Sequence, residues 1–281
     1  MQPTVIDAPL TAEKVDAFWE DGYLLVPGVL SREEAAHYGG LILDLMPRDL
    51  HVPDHWEAND GRFKPFYTRG NDRFDGPEFI PLFQHERLYR VMAQLLRSPR
   101  LFVRDGSVAI TMRTDTPHDS ELSQPLHLDP ATPGNRDEFL FTLPEVEIGG
   151  CYYFTDVEVG GGGIHVVPGG HRAVEREARA VPRGRQRFNR WREFAHLFPE
   201  TVEVPGNAGD FVLMHHLMPH AASYNRRSRT RLAQFFRYCR DDQPYVIGER
   251  PGDQAANRVY GDLQLAAMTP LGRKLLGVDP W

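Results

Sequence analysis

From residue 101 onward the chain is a succession of short extended segments separated by turn sequences. The segments are rich in β-branched and aromatic residues, and clusters such as Pro168-Gly169-Gly170 and Pro205-Gly206-Asn207 end them. Strands are predicted at 101–103, 108–113, 122–128, 139–143, 146–154, 164–167, 201–204, 211–216 and 231–238. Short strands at this spacing, without helices between them, predict a β-sandwich or a barrel.

The segments on either side of these strands are predicted to support them. Capping signals and apolar spacing predict helices over 11–22, 31–45, 84–97 and 262–268. The irregular, aromatic-rich stretch 47–78 has the character of a lid. We expect one domain over 1–281: helical support and lid in 1–100, a β core in 101–239 with an insertion at 172–198, and a tail in 240–281.

Composition excludes several classes of protein. The chain is 41% hydrophobic and 25% charged, as globular proteins are, and its net charge of −7 gives no bulk attraction to nucleic acid or to anionic membranes. Cys151 and Cys239 are far apart, which argues against a disulfide framework and a cysteine zinc site. Neither a membrane-spanning run nor a secretory signal is evident, so we expect a cytoplasmic protein without membrane contact.

The segment around His127-Leu128-Asp129 carries the main chemical signal. In an extended segment, residues two apart share a face, so His127 and Asp129 could bind one ion and leave part of it open. His220 is the best candidate for a third ligand. Two histidines and one carboxylate form the facial set that leaves positions free on a non-haem Fe(II). A structural histidine–carboxylate pair is the alternative for His127 and Asp129 taken alone.

Arg231 follows His220 across a polar turn, at a spacing that suits a hairpin. Its guanidinium would form a fixed fork for a carboxylate deep in the barrel. An open metal beside a carboxylate-binding arginine is what a 2-oxo acid co-substrate requires.

Taken together, these segments resemble the phytanoyl-CoA dioxygenase family of Fe(II)/2-oxoglutarate oxygenases. The matching stretches run in a consistent order from residue 11 to 239, and they are Phe18–Gly28, His127-Leu128-Asp129, Asp156, Gly162–His171, His220–Asn225 and Arg231. The resemblance implies a mainly β fold with flanking helices, whose core is a double-stranded β-helix (a jelly roll, cupin-like). It also implies iron on His127, Asp129 and His220.

The resemblance further implies that Arg231 pairs with the distal carboxylate of 2-oxoglutarate, and that O2 is the oxidant. Gln124 and Tyr152 are further candidates for lining the co-substrate pocket, although Tyr152 could equally be ordinary core. His215 and His216 are weaker ligand candidates than His220, because only His220 is followed by Asn225 and Arg231 at the family spacing.

The expected function is hydroxylation of a small or medium-sized organic molecule, with release of succinate and CO2. Desaturation, cyclisation and epimerisation use the same cofactors and stay open. So does a cupin-like metal enzyme, or a binding barrel, that does not use 2-oxoglutarate. Relatives that halogenate have a small residue in place of the carboxylate, so Asp129 argues against halogenation. The arginine-rich insertion 172–198 is expected to be a solvated face, with substrate contact as the alternative.

Overall fold

The structure is a computed structural model that describes residues 9–46, 61–65, 73–128, 147–180, 200–241 and 259–281. The helices are α1 (Ala12–Asp21), α2 (Arg32–Asp44), α3 (Ile80–Phe83), α4 (Glu86–Leu95), α5 (Gly170–Ala180), α6 (Asp262–Ala267) and α7 (Pro270–Leu275). The strands are β1 (Tyr23–Val26), β2 (Arg62–Phe63), β3 (Leu101–Thr111), β4 (Glu147–Tyr153), β5 (Ile164–Val166), β6 (Val202–Val204), β7 (Phe211–His215), β8 (His220–Ala222) and β9 (Arg231–Arg240).

Two antiparallel sheets form the β core. The larger has the order β1-β7-β4-β9-β3-β2 and the smaller the order β6-β5-β8. Strands close in sequence thus alternate between sheets, since β7 belongs to one, β8 to the other and β9 to the first again. The mainly β architecture with flanking helices is therefore confirmed.

Each face of the larger sheet buries a different set of side chains. One face packs with helices α1 to α4 and the C-terminal helices in a large cluster that includes Phe18, Phe83 and Phe236. The other face turns towards the smaller sheet, where Cys151 and Val212 pack with residues of β5 and β6. Because side chains alternate along a strand, every second residue of β9 faces the space between the sheets.

Local signals fix the helices that carry this sheet. Thr11 caps α1, and Gly22 ends it with a φ of +78°, a conformation that glycine adopts without steric cost. Ser31 and Glu34 form a capping box at the start of α2, and the hydrogen bond to Ser31 lowers the pKa of Glu34. The predicted helices at both positions are confirmed. None of the helices in the described residues is long and apolar enough to cross a membrane.

Several predicted elements differ from those observed. The predicted strands 101–103 and 108–113 form the single strand β3, whose register shifts between Asp105 and Val108, at Gly106 with a φ of +108°. The predicted strand 122–128 makes only isolated bridges, at Leu122 and His127. Pro125 lies between those bridges and has no backbone N–H to donate to a ladder.

The C-terminal stretch 259–281 contains one helix more than its sequence pattern indicated. The predicted helix is found as α6, and α7 follows it after a cap by Thr269 and a proline at its first turn. Leu275 is fully buried in the main core, and the Trp281 indole donates to the Leu101 carbonyl at 2.8 Å. The predicted strand 139–143 and the part of the insertion at 181–198 lie outside the described residues.

Candidate active site

His127 and His220 face each other across the gap between two chain segments. They form an antiparallel bridge, in which each backbone N–H donates to the other carbonyl at 2.9 and 3.0 Å. Their ring centroids lie 4.4 Å apart. Backbone pairing therefore brings together two of the three predicted ligands, although they are remote in sequence.

The two imidazoles are oriented in the same way. His127 Nδ1 lies 3.1 Å from the Pro125 carbonyl, and His220 Nδ1 lies 2.9 Å from the Met218 carbonyl. A carbonyl can only accept, so each Nδ1 carries the hydrogen and each Nε2 carries the lone pair. Such a contact fixes the tautomer and ring orientation of a metal-binding histidine. This donor set fits a divalent transition metal.

Strand β8 holds His220 on the inner side of the smaller sheet. His220 pairs with Val166 of β5, whose side chain belongs to the cluster between the sheets. Directly opposed residues in an antiparallel pair point to the same face. His220 is accordingly 7% exposed, with its ring towards the inner space.

Arg231 begins β9 on the face that looks into the same space. It lies opposite Thr111 of β3 and is 1% exposed. Asn225 positions it: the Asn225 side-chain amide donates to the Thr111 carbonyl at 3.1 Å and to the Arg229 carbonyl at 2.8 Å. Asn225, which is fully buried, thus fastens the turn between β8 and β9 to the neighbouring strand.

The Arg231 guanidinium has no hydrogen-bond partner for Nε or Nη1 among the described residues. Two groups beside it could in principle be anionic, the Cys151 thiol and the Tyr153 hydroxyl. Burial raises the pKa of Cys151 to about 12 and raises that of Tyr153, so both are neutral near pH 7 although Arg231 opposes each shift. Neither group therefore neutralises Arg231, and a buried cation of this kind calls for an anionic ligand.

One cavity of about 440 Å³ joins Arg231 to the two histidines. This volume lies within the range of small-molecule sites. Its described lining comprises Arg62, Phe63, Lys64, Ser107, Ala109, Ile110, Thr111, Gln124, His127, Ile164, His220, Ala221, Ala222, Arg231, Phe235 and Arg237.

Gln124 lies in the cavity wall beside His127. Its amide nitrogen is 3.5 Å from each ring nitrogen of His127. Arg62 donates to the Gln124 side-chain oxygen at 3.0 Å and to the Ser123 carbonyl at 3.2 Å, so a guanidinium holds this amide in place. Arg62 comes from the stretch predicted to be a lid, part of which pairs with β3 as β2.

Tyr152 lies on the opposite face of the larger sheet from the cavity. It packs edge-on against Phe211 and Phe236, with centroids 4.8 and 5.5 Å away, inside the cluster on the helix side. Strand alternation explains this position, because its neighbours Cys151 and Tyr153 take the inner face. The prediction that Tyr152 lines the co-substrate pocket finds no support in this position, which is that of a core residue.

The other buried histidines lie away from the described cavity lining. His171, His215 and His216 form a group in which His215 lies between the other two, at centroid distances of 4.8 and 4.5 Å. His165 contacts the Thr201 hydroxyl at 2.8 Å. Burial lowers the pKa of both His165 and His171, as expected for histidines packed in the fold.

Asp129, the predicted third ligand, lies outside the described residues. Within the described ranges no group of three or more potential metal-binding side chains occurs, and the role of Asp129 stays a prediction. Arg62, Phe235 and Arg237 line the cavity but were not predicted to do so from the sequence. For Phe235 and Arg237 the signal was available, because both lie an even number of residues from Arg231 on one strand.

Comparison with known proteins identifies the family. The model of the phytanoyl-CoA dioxygenase family matches residues 18–233. The chain belongs to the phytanoyl-CoA dioxygenase family. It is accordingly an Fe(II)- and 2-oxoglutarate-dependent oxygenase that uses O2, which confirms the cofactors expected above. No functionally curated protein matches the chain.

Solved structures of this fold cover most of the chain. The α-ketoglutarate-dependent carbocyclase SnoK from nogalamycin biosynthesis is 21% identical, with a TM-score of 0.55 over 94% of this chain and 98% of SnoK. HygX from Streptomyces hygroscopicus, with nickel, 2-oxoglutarate and hygromycin B bound, is 19% identical, with a TM-score of 0.57 over 83% and 88%. EctD from S. alaskensis is 16% identical, with a TM-score of 0.51 over 90% and 80%. These similarities support the jelly-roll core.

Proposed function

We propose that this family member oxidises a small organic molecule, most simply by hydroxylation, at iron held by His127, Asp129 and His220. Arg231 binds the distal carboxylate of 2-oxoglutarate in the same cavity. The hydroxylated product, succinate and CO2 together account for the substrate, 2-oxoglutarate and both atoms of O2.

The observation that carries the proposal is the buried guanidinium of Arg231. It shares a cavity with two oriented imidazoles, and its Nε and Nη1 have no hydrogen-bond partner in the described part of the chain. A buried guanidinium with two nitrogens left without hydrogen bonds among the described residues is costly, so the arrangement is understandable when an anion is the normal occupant. A planar fork of N–H groups matches a carboxylate at two points.

The described residues prepare the site before substrate arrives. The carbonyls of Pro125 and Met218 hold the imidazoles of His127 and His220 with Nε2 available for a metal. Arg231 fixes one end of the co-substrate, and Gln124, held by Arg62, forms the wall beside His127. Iron held by these residues would supply, with 2-oxoglutarate and O2, the oxidising chemistry for a nearby C–H bond.

The reaction type is the finer part of the proposal. The similar structures include a carbocyclase from nogalamycin biosynthesis and HygX with hygromycin B bound, so the fold alone does not determine the substrate or the reaction type. We propose hydroxylation because it is the simplest outcome of the shared chemistry. Asp129 supports oxygen transfer over halogenation, since halogenating relatives lack that carboxylate.

The test is a substrate screen with enzyme loaded anaerobically with Fe(II), read by succinate release that depends on both 2-oxoglutarate and the added compound. Mass spectrometry of the product separates hydroxylation, which adds one oxygen atom from O2, from desaturation, which removes two hydrogens. Cyclisation also removes two hydrogens and is separated from desaturation by NMR, whereas epimerisation leaves the mass unchanged.

The matched variants are Arg231→Gln and, as a control, Arg172→Gln on the exposed side of α5. Turnover lost in Arg231→Gln and kept in Arg172→Gln supports the proposal. Substrate turnover that needs no 2-oxoglutarate, and is unaffected in Arg231→Gln, would instead support the cupin-like metal enzyme. Absence of iron-dependent turnover, with no binding of 2-oxoglutarate, would support a binding barrel.

A further inference from the structure

The fold holds His127 and His220 in different ways. His220 lies within strand β8 and is 7% exposed. His127 is half-buried, and its segment is joined to the rest of the described chain by isolated bridges at Leu122 and His127. Strand pairing and packing therefore fix His220, whereas the position of His127 depends more on the other contacts that its segment makes.

The backbone pairing beside His127 is interrupted at Pro125. In the described part of the chain, Ser123 donates to the Ala222 carbonyl of β8 at 2.9 Å. The next described backbone bonds between the two segments are those that His127 exchanges with His220. Between these points Pro125 has no N–H to donate. A group that bonds to residues within this gap would therefore add to the placement of His127.

Arg62 bonds to the chain within the gap. Its Nη1 donates to the Ser123 carbonyl at 3.2 Å, and its Nη2 donates to the Gln124 side-chain oxygen at 3.0 Å. A guanidinium is a rigid planar fork, so two bonds from one fork fix the relative position of both acceptors. One side chain thus holds a backbone group and a side-chain group of the His127 segment.

Gln124 transmits this placement to the imidazole of His127. Its amide nitrogen lies 3.5 Å from both ring nitrogens, a long and equal distance that places it against the ring and in line with neither lone pair. The ring Nδ1 faces the Pro125 carbonyl, so Nε2 stays available for a metal. The amide therefore restricts rotation of the ring without occupying the nitrogen that would bind the metal.

Arg62 is itself placed by the sheet that carries Arg231. It lies opposite Thr111 of β3, which lies opposite Arg231 of β9. Directly opposed residues of antiparallel strands point to the same face, and both arginines line the cavity. With strands about 4.8 Å apart, their Cα atoms are roughly 10 Å apart. Arg62 therefore ties the His127 segment to the part of the sheet that holds the proposed co-substrate arginine.

We propose that Arg62 is a positioning residue for the metal ligand His127. From β2 it holds Ser123 and Gln124 where Pro125 interrupts the backbone pairing, and Gln124 in turn holds the imidazole. This inference rests on the proposed function, because it takes His127 as a ligand to iron. Since Arg62 acts through the ligand that it positions, its loss should disturb metal binding before any co-substrate or substrate is present.

The charge of Arg62 predicts the opposite effect on metal binding. A guanidinium repels a nearby metal cation, so removal of the charge alone would strengthen metal binding. Loss of a group that orients a metal ligand weakens metal binding, by roughly 10- to 100-fold. The direction of the change in affinity therefore separates positioning from simple electrostatics.

The experiment measures the Co(II) affinity and the visible absorption spectrum of the protein without 2-oxoglutarate or substrate. Co(II) is chosen because its spectrum reports the geometry of its ligands. The variants are Arg62→Met, which keeps an apolar stem, Arg62→Lys, Gln124→Leu and the double variant Arg62→Met with Gln124→Leu. The exposed Arg172→Met is the matched control. Thermal unfolding of each metal-free protein shows whether the fold is intact.

Arg62→Met should weaken Co(II) binding by about tenfold and change the spectrum. Arg62→Lys should restore part of the affinity, because an ammonium group also donates to these oxygens. Gln124→Leu should weaken binding by less, because Arg62 still bonds to the Ser123 carbonyl. The double variant should bind Co(II) within about twofold of Arg62→Met, because its second change removes a contact that is already lost. Arg172→Met should keep the wild-type affinity and spectrum.

Unchanged or tighter Co(II) binding by Arg62→Met, or a wild-type spectrum in that variant, would overturn the inference. So would a double variant whose loss of affinity equals the product of the two single losses. If Arg62→Met does not fold, Gln124→Leu carries the test, and wild-type affinity and spectrum in Gln124→Leu would overturn the inference.

Failure of the proposed function is a separate result, seen in the wild type and in His220→Ala. If His220→Ala binds Co(II) as tightly as the wild type, the metal lies elsewhere, and both the proposed function and the role of Arg62 are overturned. If His220→Ala loses the metal while Arg62→Met binds it normally, only the role of Arg62 is overturned.

Discussion

His127 and His220 exchange both backbone hydrogen bonds with each other, at 2.9 and 3.0 Å, and their ring centroids lie 4.4 Å apart. Their proximity is therefore built into the backbone pairing of the fold and does not depend on a bound ion. The carbonyls of Pro125 and Met218 add the orientation of each ring. The proposed metal would therefore bind to two imidazoles whose positions the fold already sets.

Replacing either histidine should remove the metal. We expect His220→Ala and His127→Ala to lower activity by more than about 100-fold, since only one of the two oriented imidazoles then remains to bind iron. Metal content after anaerobic loading and gel filtration measures the effect. The exposed His37→Ala variant should retain full metal content, and a His220→Ala protein that also retained it would exclude His220 as a ligand.

Asp129→Ala should retain part of the metal affinity and lose hydroxylation. The two placed histidines still bind the ion, whereas the proposed third ligand is gone. Metal affinity and substrate-dependent succinate release measure the two effects on one preparation. Normal hydroxylation by this variant would remove Asp129 from the triad.

Arg231→Gln should abolish binding of 2-oxoglutarate without destabilising the empty protein. The buried guanidinium lacks partners for Nε and Nη1 among the described residues, so its loss removes an electrostatic cost. At 100 times its dissociation constant, 2-oxoglutarate should stabilise the wild-type holoprotein by about 2.7 kcal/mol. Thermal unfolding with and without 2-oxoglutarate measures both effects, and a ligand-induced increase in Tm that persists in the variant would argue against the assigned role.

Replacing two glycines by alanine should change the stability of the fold in opposite directions. Gly150 in β4 has a φ of +151°, and a Cβ there would lie 1.9 Å from the Val212 carbonyl oxygen of β7. We expect Gly150→Ala to destabilise the fold by more than about 3 kcal/mol. Gly40 in α2 is exposed with no atom within 4 Å of an added Cβ, so Gly40→Ala should stabilise by about 0.5–1 kcal/mol. Chemical denaturation measures both, and equal effects would contradict this account of β4 packing.

Acid should weaken the fold partly through His171. Burial lowers its pKa, while its Nε2 contacts the Trp19 carbonyl at 3.1 Å. Below about pH 6.5 the unfolded chain takes up a proton that the folded chain does not, so the free energy of unfolding falls as the pH falls from there towards the depressed folded pKa.

His171→Gln, which can still donate to Trp19, should show a smaller decrease in unfolding free energy between about pH 6.5 and 5 than the wild type. Denaturant unfolding at a series of pH values measures it. The exposed His37→Gln variant should keep the wild-type profile, and an unchanged profile in His171→Gln would rule out this contribution.

Much of the fold was predictable because its signals are local. Capping residues and glycine stops predicted the N-terminal helices, and alternating apolar residues predicted β4 to β7 and β9. The short strand β8 was not predicted, because three residues carry too little pattern; in the described part of the chain His220 pairs with β5 and with the His127 segment. The strand predicted at 122–128 is not regular, because Pro125 interrupts the pairing that the apolar pattern alone favours.

The site was predictable in part for a different reason. The histidines and Arg231 stood out by residue type and spacing. The face on which a residue lies depends on register, which no local pattern fixes for an inner strand such as β4. The sequence therefore could not tell which face Tyr152 takes, and in the structure it lies in the core on the helix side.

The most direct test of the central claim is a crystal structure of the protein with Ni(II) and 2-oxoglutarate bound. Ni(II) is used because the protein loaded with it does not turn over. We predict one metal ion bound by Nε2 of His127, Nε2 of His220 and a carboxylate oxygen of Asp129, with the distal carboxylate of 2-oxoglutarate on the Arg231 guanidinium. A metal bound elsewhere, or 2-oxoglutarate without contact to Arg231, would contradict the account.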